Sequence, residues 1–277
     1  SVREHVICSK LQKHKLIVIS NFLNPKINKL CFEYIVNNLD NESIVNYSKL
    51  LKTMYEIEYV VINQEKFIFS GLVDKLKSIG IDSIAPLRKY GKIEWSKSFA
   101  RDLISKYGLS QYNPLYKEFN TYNKDEIIQF INKLNNNYVI KDNSLKGGKG
   151  VKVYGVHLNN LKETLLFCES IINSNSSFLI EEKLIGEEFS IHTITDGNHS
   201  SHTFPIKDFK RLYNNNKGCN TGSMGCISGN LNFLNKQDIK TAREINENII
   251  KYLQIENNYQ DCYKGFLYGS FIKTIDN

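Results

Sequence analysis

No apolar run in the chain approaches the length of about 20 residues that a membrane-spanning helix needs. No signal-peptide pattern is present either, so neither a membrane partner nor a secretory route is expected. The six cysteines (Cys8, Cys31, Cys168, Cys219, Cys226 and Cys262) form no C-x-x-C pair and share no metal spacing with histidine. Dispersed thiols in a chain of 277 residues point to a reducing compartment, and a cytoplasmic location is the expectation. His5, His157, His192, His199 and His202 show no metal-ligand spacing among themselves, and no Ser-His-Asp set is evident. Basic residues exceed acidic ones to a net charge of +7, which suits an anionic partner, yet no block of five or more basic residues occurs. A nucleic-acid stripe is therefore not indicated.

What is present centres on Tyr138-Val-Ile-Lys-Asp-Asn-Ser-Leu-Lys-Gly-Gly-Lys-Gly-Val-Lys-Val153. It reads as strand, glycine-rich loop, strand. Gly147, Gly148 and Gly150 carry no Cβ, so the turn can reach positive φ and bring backbone N–H groups close to an anion. Lys141, Lys146 and Lys149 add positive charge. The loop suits a polyphosphate, although it is not a P-loop, since no Gly-Lys is followed by Ser or Thr. On its own it reads equally as a lysine-rich hairpin turn. Lys141 ends a buried strand, so its ammonium is expected in a cleft with a ligand as counter-charge, and Lys152 is expected on the solvated side of the next strand.

Strands alternate with helices along the first part of the chain, which implies βαβ units and a parallel sheet. Residues 1–11 read as a helix, 15–19 and 58–62 as buried strands, 44–56 and 71–79 as helices, with Gly80 as a C-cap. A helix at the start with no strand before it suggests that a first strand is lost. A helix is expected over 95–107, then helices at 124–134 and 158–172 around the glycine loop, and a strand at 178–182. Residues 188–195 and 200–205 read as an antiparallel pair, 207–230 as a loop, 238–253 as a helix and 265–272 as a strand. Asp276-Asn277 looks like a hairpin turn without its second strand.

Four further stretches, one before the glycine loop and three in a fixed order after it, stand out. They are Trp95-Ser-Lys-Ser-Phe-Ala100, Phe178-Leu-Ile-Glu-Glu-Lys-Leu-Ile-Gly-Glu-Glu188, Pro205-Ile-Lys-Asp-Phe-Lys-Arg211 and Gly218-Cys-Asn-Thr-Gly-Ser-Met-Gly225. With Arg3-Glu4-His5 and the glycine loop they resemble the phosphoribosylamine–glycine ligases (glycinamide ribonucleotide synthetases), which belong to the ATP-grasp superfamily. The resemblance runs in register along nearly all of the chain.

It implies an α/β (α+β) fold: a parallel-sheet pre-ATP-grasp domain over 1–110, then an ATP-grasp fold of two antiparallel sheets. The small ATP-grasp subdomain would span 111–182 with the glycine loop, and the large one 183–277, incomplete at its carboxy-terminal end. Lys97 and Lys141 would reach ATP phosphates, and Lys146, Gly147, Gly148, Lys149 and Gly150 would close over them. Glu181, Glu182 and Leu184 would form the adenine hinge, and Glu188 would hold the ribose. Asp208, Lys210, Arg211, Asn220, Thr221 and Gly222 would line the site for glycine and 5-phosphoribosylamine, with Lys141, Arg211 and Asp208 closest to the chemistry.

Enzymes of this kind phosphorylate a carboxylate, here that of glycine, to an acyl phosphate that an amine then attacks. Such a reaction needs positive charge and oriented N–H donors more than a covalent nucleophile. Arg211 could grip a carboxylate or phosphate with two prongs, as lysine cannot. ATP and Mg²⁺ are the implied cofactors, with the metal ligands expected beyond residue 277 and none within the chain. Asn63-Gln-Glu-Lys66 departs from the family's Gly-Pro-Glu-Ala, and Phe209, Cys219 and Ser223 replace a histidine, a proline and a glycine of the substrate loops. The other reading these departures leave is a degenerate ATP-binding paralogue or a fragment acting as a nucleotide-binding module.

Overall fold

Alternating apolar and polar residues decide most of the architecture, and their two faces can be followed strand by strand in a computed structural model of the chain. Residues 2–38, 40–144, 150–215, 217–259 and 261–275 are described. Contacts divide the chain into two compact units, Ser1–Arg88 and Lys89–Asn277.

In the first unit the order is α1 (Val2–Lys10), β1 (Ile17–Ser20), α2 (Pro25–Asn28), β2 (Glu33–Val36), α3 (Asn41–Met54), β3 (Val60–Val61), α4 (Glu65–Phe69), α5 (Leu72–Ser78) and β4 (Ser83–Ile84). β1 pairs with β2 and β3 with β4, both in parallel, so the expected parallel pairing is present as two short ribbons. Asp40 caps α3 by accepting from the Ser43 N–H at 2.8 Å. Gly80, at φ +73°, closes α5 as the sequence implies: its N–H donates to Lys77 O at 2.9 Å and the Ile81 N–H to Leu76 O at 3.0 Å. The strands expected to be buried are only half-buried, and β3 has shrunk to two residues. Both border a cavity of about 490 Å³ that Cys8 of α1 and Leu11 just after it also line. β2 is not expected from the sequence, because four residues give almost no period.

In the second unit the run expected as one helix from Trp95 is broken by Ser96. α6 (Arg88–Trp95) ends there and α7 (Lys97–Lys106) begins, with Ser96 Oγ accepting from the Phe99 N–H at 3.3 Å. Residues 89–110, read from sequence as part of the amino-terminal domain, fall in this second unit. Within that unit Tyr107 stacks on Tyr252 with ring centroids 4.2 Å apart, and Lys106 binds Glu256 at 2.6 Å.

β5 (Tyr116–Phe119), α8 (Lys124–Lys133), β6 (Tyr138–Asp142), β7 (Val151–Val153), α9 (Leu161–Asn173) and β8 (Phe178–Glu182) follow. The strands make an antiparallel sheet ordered β5-β8-β6-β7. In β6, Tyr138, Ile140 and Asp142 are buried, whereas Val139 and Lys141 on the other face are half-buried. The buried face packs Tyr138 and Ile140 with Ile127, Ile131, Cys168 and Ile171 of α8 and α9. Residues 145–149, the heart of the glycine loop, lie outside the described residues.

The second sheet contains β9 (Gly186–Thr195), β10 (Ser200–His202) and β11 (Ile206–Asp208). β12 (Arg211–Tyr213), β13 (Lys217–Asn220), β14 (Cys226–Ser228), α10 (Lys236–Glu256) and β15 (Gly265–Thr274) complete the chain. β15 runs antiparallel to β9 over ten residue pairs, from Gly265–Thr195 to Thr274–Gly186. β10 and β11 pair antiparallel with β9, and β14 with β11; β12 and β13 form a separate ribbon. The expected loop over 207–230 thus contains four short strands. Its strands are three or four residues long and mostly exposed, so no apolar alternation marks them. The expected terminal hairpin at 276–277 lies outside the described residues. Among the described residues, no helix is long and apolar enough to cross a membrane.

α10 is tied to this sheet by Asn246, which is 2% exposed. Its Nδ2 donates to Ile191 O at 3.0 Å and Thr193 Oγ1 at 2.9 Å. Gly269 of β15 comes so near that a Cβ there would lie 2.2 Å from Asn246 Oδ1. Asn246→Ala should therefore cost about 1–2 kcal/mol, read as a lower urea midpoint, because two buried acceptors lose a donor. An unchanged midpoint would show that the tie contributes nothing.

Candidate functional site

The half-buried face of the first sheet carries the charge. The β6–β8 register pairs Lys141 with Leu179 and Val139 with Glu181, so Lys141 and Glu181 stand diagonally on one face. Lys141 Nζ lies 2.6 Å from Glu181 Oε2. Arg101, reaching from α7, donates Nε to Glu181 Oε1 and Nη2 to Oε2, both at 3.0 Å. The Glu181 side chain is 3% exposed. Burial pushes its pKa up, but Lys141 and then Arg101 outweigh burial and hold the carboxyl below its ordinary value.

This corrects one expectation. Lys141 does not await a ligand for its counter-charge, because the antiparallel register supplies Glu181. Glu181 is likewise more than a source of backbone hinge contacts. Arg101 was missed in the sequence, although a signal existed: it is four residues after Lys97, on the same side of one helix.

Lys97 opens α7 and donates to Ser144 O at 2.9 Å, just past the end of β6. Burial lowers its pKa; the neighbouring Asp142 carboxylate opposes that, and the Lys141 charge adds to it. The structure thus brings Lys97 and Lys141 to one end of the sheet. Asn143 ties the helix start to this end: its Oδ1 accepts from the Ser98 N–H at 3.0 Å. Its Nδ2 donates to Glu118 Oε1 at 2.8 Å and Ser98 Oγ at 2.9 Å, with Ser177 Oγ at 3.0 Å. Gly150, the one described glycine of the loop, accepts from the Asp142 N–H at 2.8 Å. Lys146, Gly147, Gly148 and Lys149 lie outside the described residues. Lys152, expected to be solvated, is half-buried with Nζ 4.2 Å above the Phe167 ring centroid, which gives its stem and charge a partner.

At the turn into β9, Glu182 uses Oε2 to accept from the Leu115 N–H at 3.2 Å, and Leu184 is half-buried. Glu188 is exposed on β9 and accepts from Lys210 Nζ at 3.2 Å. For Lys210, burial lowers the pKa but the Glu188 carboxylate outweighs it, so the ammonium stays charged to higher pH than usual. Glu188, Asp208, Lys210 and Tyr268 share a small cleft. Asp208 accepts from Ser223 Oγ, and Ser223 holds φ +142°, a value that favours the glycine it replaces in the family pattern. Thr221 donates both N–H and Oγ1 to Lys210 O, at 2.7 and 3.0 Å. Arg211 Nη1 donates to Gly218 O at 2.7 Å, and Arg211 pairs with Asn220 across the ribbon. Gly222 is exposed with open space where a Cβ would stand. His157, after β7, has its pKa lowered first by burial and then by the Arg211 charge.

The candidate residues therefore form two groups, one where α7 meets the first sheet and one around β9, β11 and the β12–β13 ribbon. Among the described residues no group of three or more His, Cys, Asp or Glu side chains is placed to hold a metal ion. The paired sheets, with lysines at the mouth of a glycine loop on one and a charged strand end on the other, define an ATP-grasp fold. Residues 95–277 match the family described as phosphoribosylglycinamide synthetase, ATP-grasp (A) domain, and the chain belongs to that family.

The phosphoribosylamine–glycine ligase of Methanopyrus kandleri is 32% identical over 288 residues, covering 99% of this chain and 62% of its own length. That of Methanocaldococcus jannaschii is 33% identical over 285 residues, covering 98% and 62%. The crystal structure of the Thermotoga maritima phosphoribosylamine–glycine ligase superposes with a TM-score of 0.73 at 25% identity, over 98% of this chain and 65% of that one. An N5-carboxyaminoimidazole ribonucleotide synthetase, solved as an ADP complex, shares the fold at a TM-score of 0.65 and 16% identity, over 99% of this chain and 64% of that one. The chain thus spans a little over three-fifths of the length of the curated relatives it matches.

Proposed function

We propose that the protein is an ATP-dependent carbon–nitrogen ligase that joins glycine to 5-phosphoribosylamine, giving glycinamide ribonucleotide, ADP and phosphate, a step of purine synthesis. The observation that carries this reading is the placement of Lys97 and Lys141 at one end of the first sheet, with Lys97 bound to Ser144 O, in a chain whose residues 95–277 match the family. Two ammonium groups beside a glycine-rich segment suit the charge of a transferring phosphoryl group.

In this reading residues 111–182 and 183–277 act as the two halves of a nucleotide clamp, following the domain of residues 1–110. Lys97, Lys141, Lys146, Lys149 and the loop glycines hold phosphates. The backbone of Glu181 and Glu182, with Leu184, meets the base, and Glu188 the ribose. Lys210 already binds the carboxylate of Glu188, so sugar hydroxyls there would meet an ordered acceptor. Asp208, Lys210, Arg211, Asn220, Thr221 and Gly222 line the site for glycine and the amine. Mg²⁺ suits this chemistry, but the described residues offer no set of three His, Cys, Asp or Glu ligands for it.

ADP release from the protein should require both glycine and 5-phosphoribosylamine. Release that is the same with and without them would overturn the assignment. ATP binding by calorimetry with no ADP formed under any condition would instead favour a nucleotide-binding module.

A further inference from the structure

Nothing in the family pattern assigns Arg101 or the carboxylate of Glu181. We propose that the two are positioning residues for Lys141: Glu181 steers the ammonium, and Arg101 neutralises Glu181 so that Lys141 keeps its attraction for an anion. This rests on the nucleotide reading of the site above.

The charge count motivates it. A Lys141–Glu181 pair alone would be neutral and a poor magnet for phosphate. With Arg101 bound to both carboxylate oxygens, the cluster carries a net single positive charge. A guanidinium held through Nε and Nη2 fixes the plane of the carboxylate, and hence the place where Lys141 Nζ finds Oε2. Arg101 is itself held: Nη1 donates to Asn113 Oδ1 at 3.0 Å, and Asn113 Nδ2 returns to Arg101 O at 2.8 Å and Ser105 Oγ at 3.0 Å. Since Arg101 stands one helical turn from Lys97, α7 places one lysine directly and the other through Glu181. A surface ion pair would need none of this support, whereas here the shared carboxylate is 3% exposed.

The test is a double-mutant cycle on ATP affinity, measured by calorimetry with the whole chain. Arg101→Met should weaken ATP about tenfold, the effect of losing one charge a few ångströms behind Lys141. Arg101→Lys, which keeps the charge but not the fork, should restore part of the loss. In a Lys141→Met background the same Arg101→Met change should do almost nothing, because the residue it acts through is gone. A merely structural arginine would cost the same factor in both backgrounds, and that result would overturn the proposal, as would unchanged affinity in Arg101→Met. If Arg101→Met fails to fold, Asn113→Ala, which removes the Nη1 acceptor together with the Asn113 bonds to Arg101 O and Ser105 Oγ, replaces it in the same cycle with a smaller expected loss. A wild-type chain that binds no ATP would overturn the nucleotide reading itself, a separate failure from an Arg101 effect that ignores Lys141.

Discussion

Replacing Glu181 with alanine should lower the unfolding free energy by about 3 kcal/mol, the cost of breaking a buried ion pair from one side. The carboxylate bridges Lys141 and Arg101, whose side chains are 24% and 23% exposed. Without it a guanidinium and an ammonium face each other across a gap too poorly solvated to screen them. A urea midpoint within error of wild type would show that the cluster is better hydrated than its geometry implies.

The same residue carries a pH signature. Burial raises the Glu181 pKa, Lys141 and Arg101 lower it by more, and the folded value lies below the ordinary 4.5. A depressed folded pKa stabilises fully above the unfolded value and is lost as pH falls through the folded one. The stability difference between wild type and Glu181→Gln should therefore shrink steadily once pH drops below 4.5. A constant difference through the acid range would mean that Glu181 is not the ionised partner.

Lys141→Met should leave the fold nearly intact, since methionine keeps much of the stem volume and Glu181 retains the two-pronged Arg101. ATP affinity should fall by the worth of a charge-assisted hydrogen bond, about 1.5–3 kcal/mol or roughly 10- to 150-fold. Lys133→Met, exposed on α8, should change nothing, and it is a better control than Lys152, which sits on Phe167. Equal ATP affinity in Lys141→Met and Lys133→Met would reduce the glycine loop to a lysine-rich turn and remove the centre of the functional reading.

Legibility differed by element. β6 was readable because Tyr138, Val139 and Ile140 are β-prone and end on Lys141 before a glycine-rich turn, although the split into a helix-packed face and an open one was not. α10 was readable because apolar residues recur around Ile249, Ile250 and Leu253, all buried. The short strands between 206 and 228 were not, since three exposed residues carry no period. Helix α7 shows the difference within one element. Its amphipathic core face was visible, but Ser96 as a break and cap was not, because a serine caps only when the chain before it turns away.

The residue types of the site, lysines beside spaced glycines and acids at strand ends, were determined by the sequence itself, as was the family. Local periodicity needs only neighbours in the chain, so most helices and the longer strands were determined there too. Tertiary structure alone decided which charge meets which. Lys141, Glu181 and Arg101 are separated by 40 and 80 residues along the chain, and only the antiparallel register of β6 with β8, under α7, brings them within hydrogen-bonding distance. A counter-charge set by strand register leaves no local trace, because sliding the pairing by one residue would send the same glutamate to the opposite face.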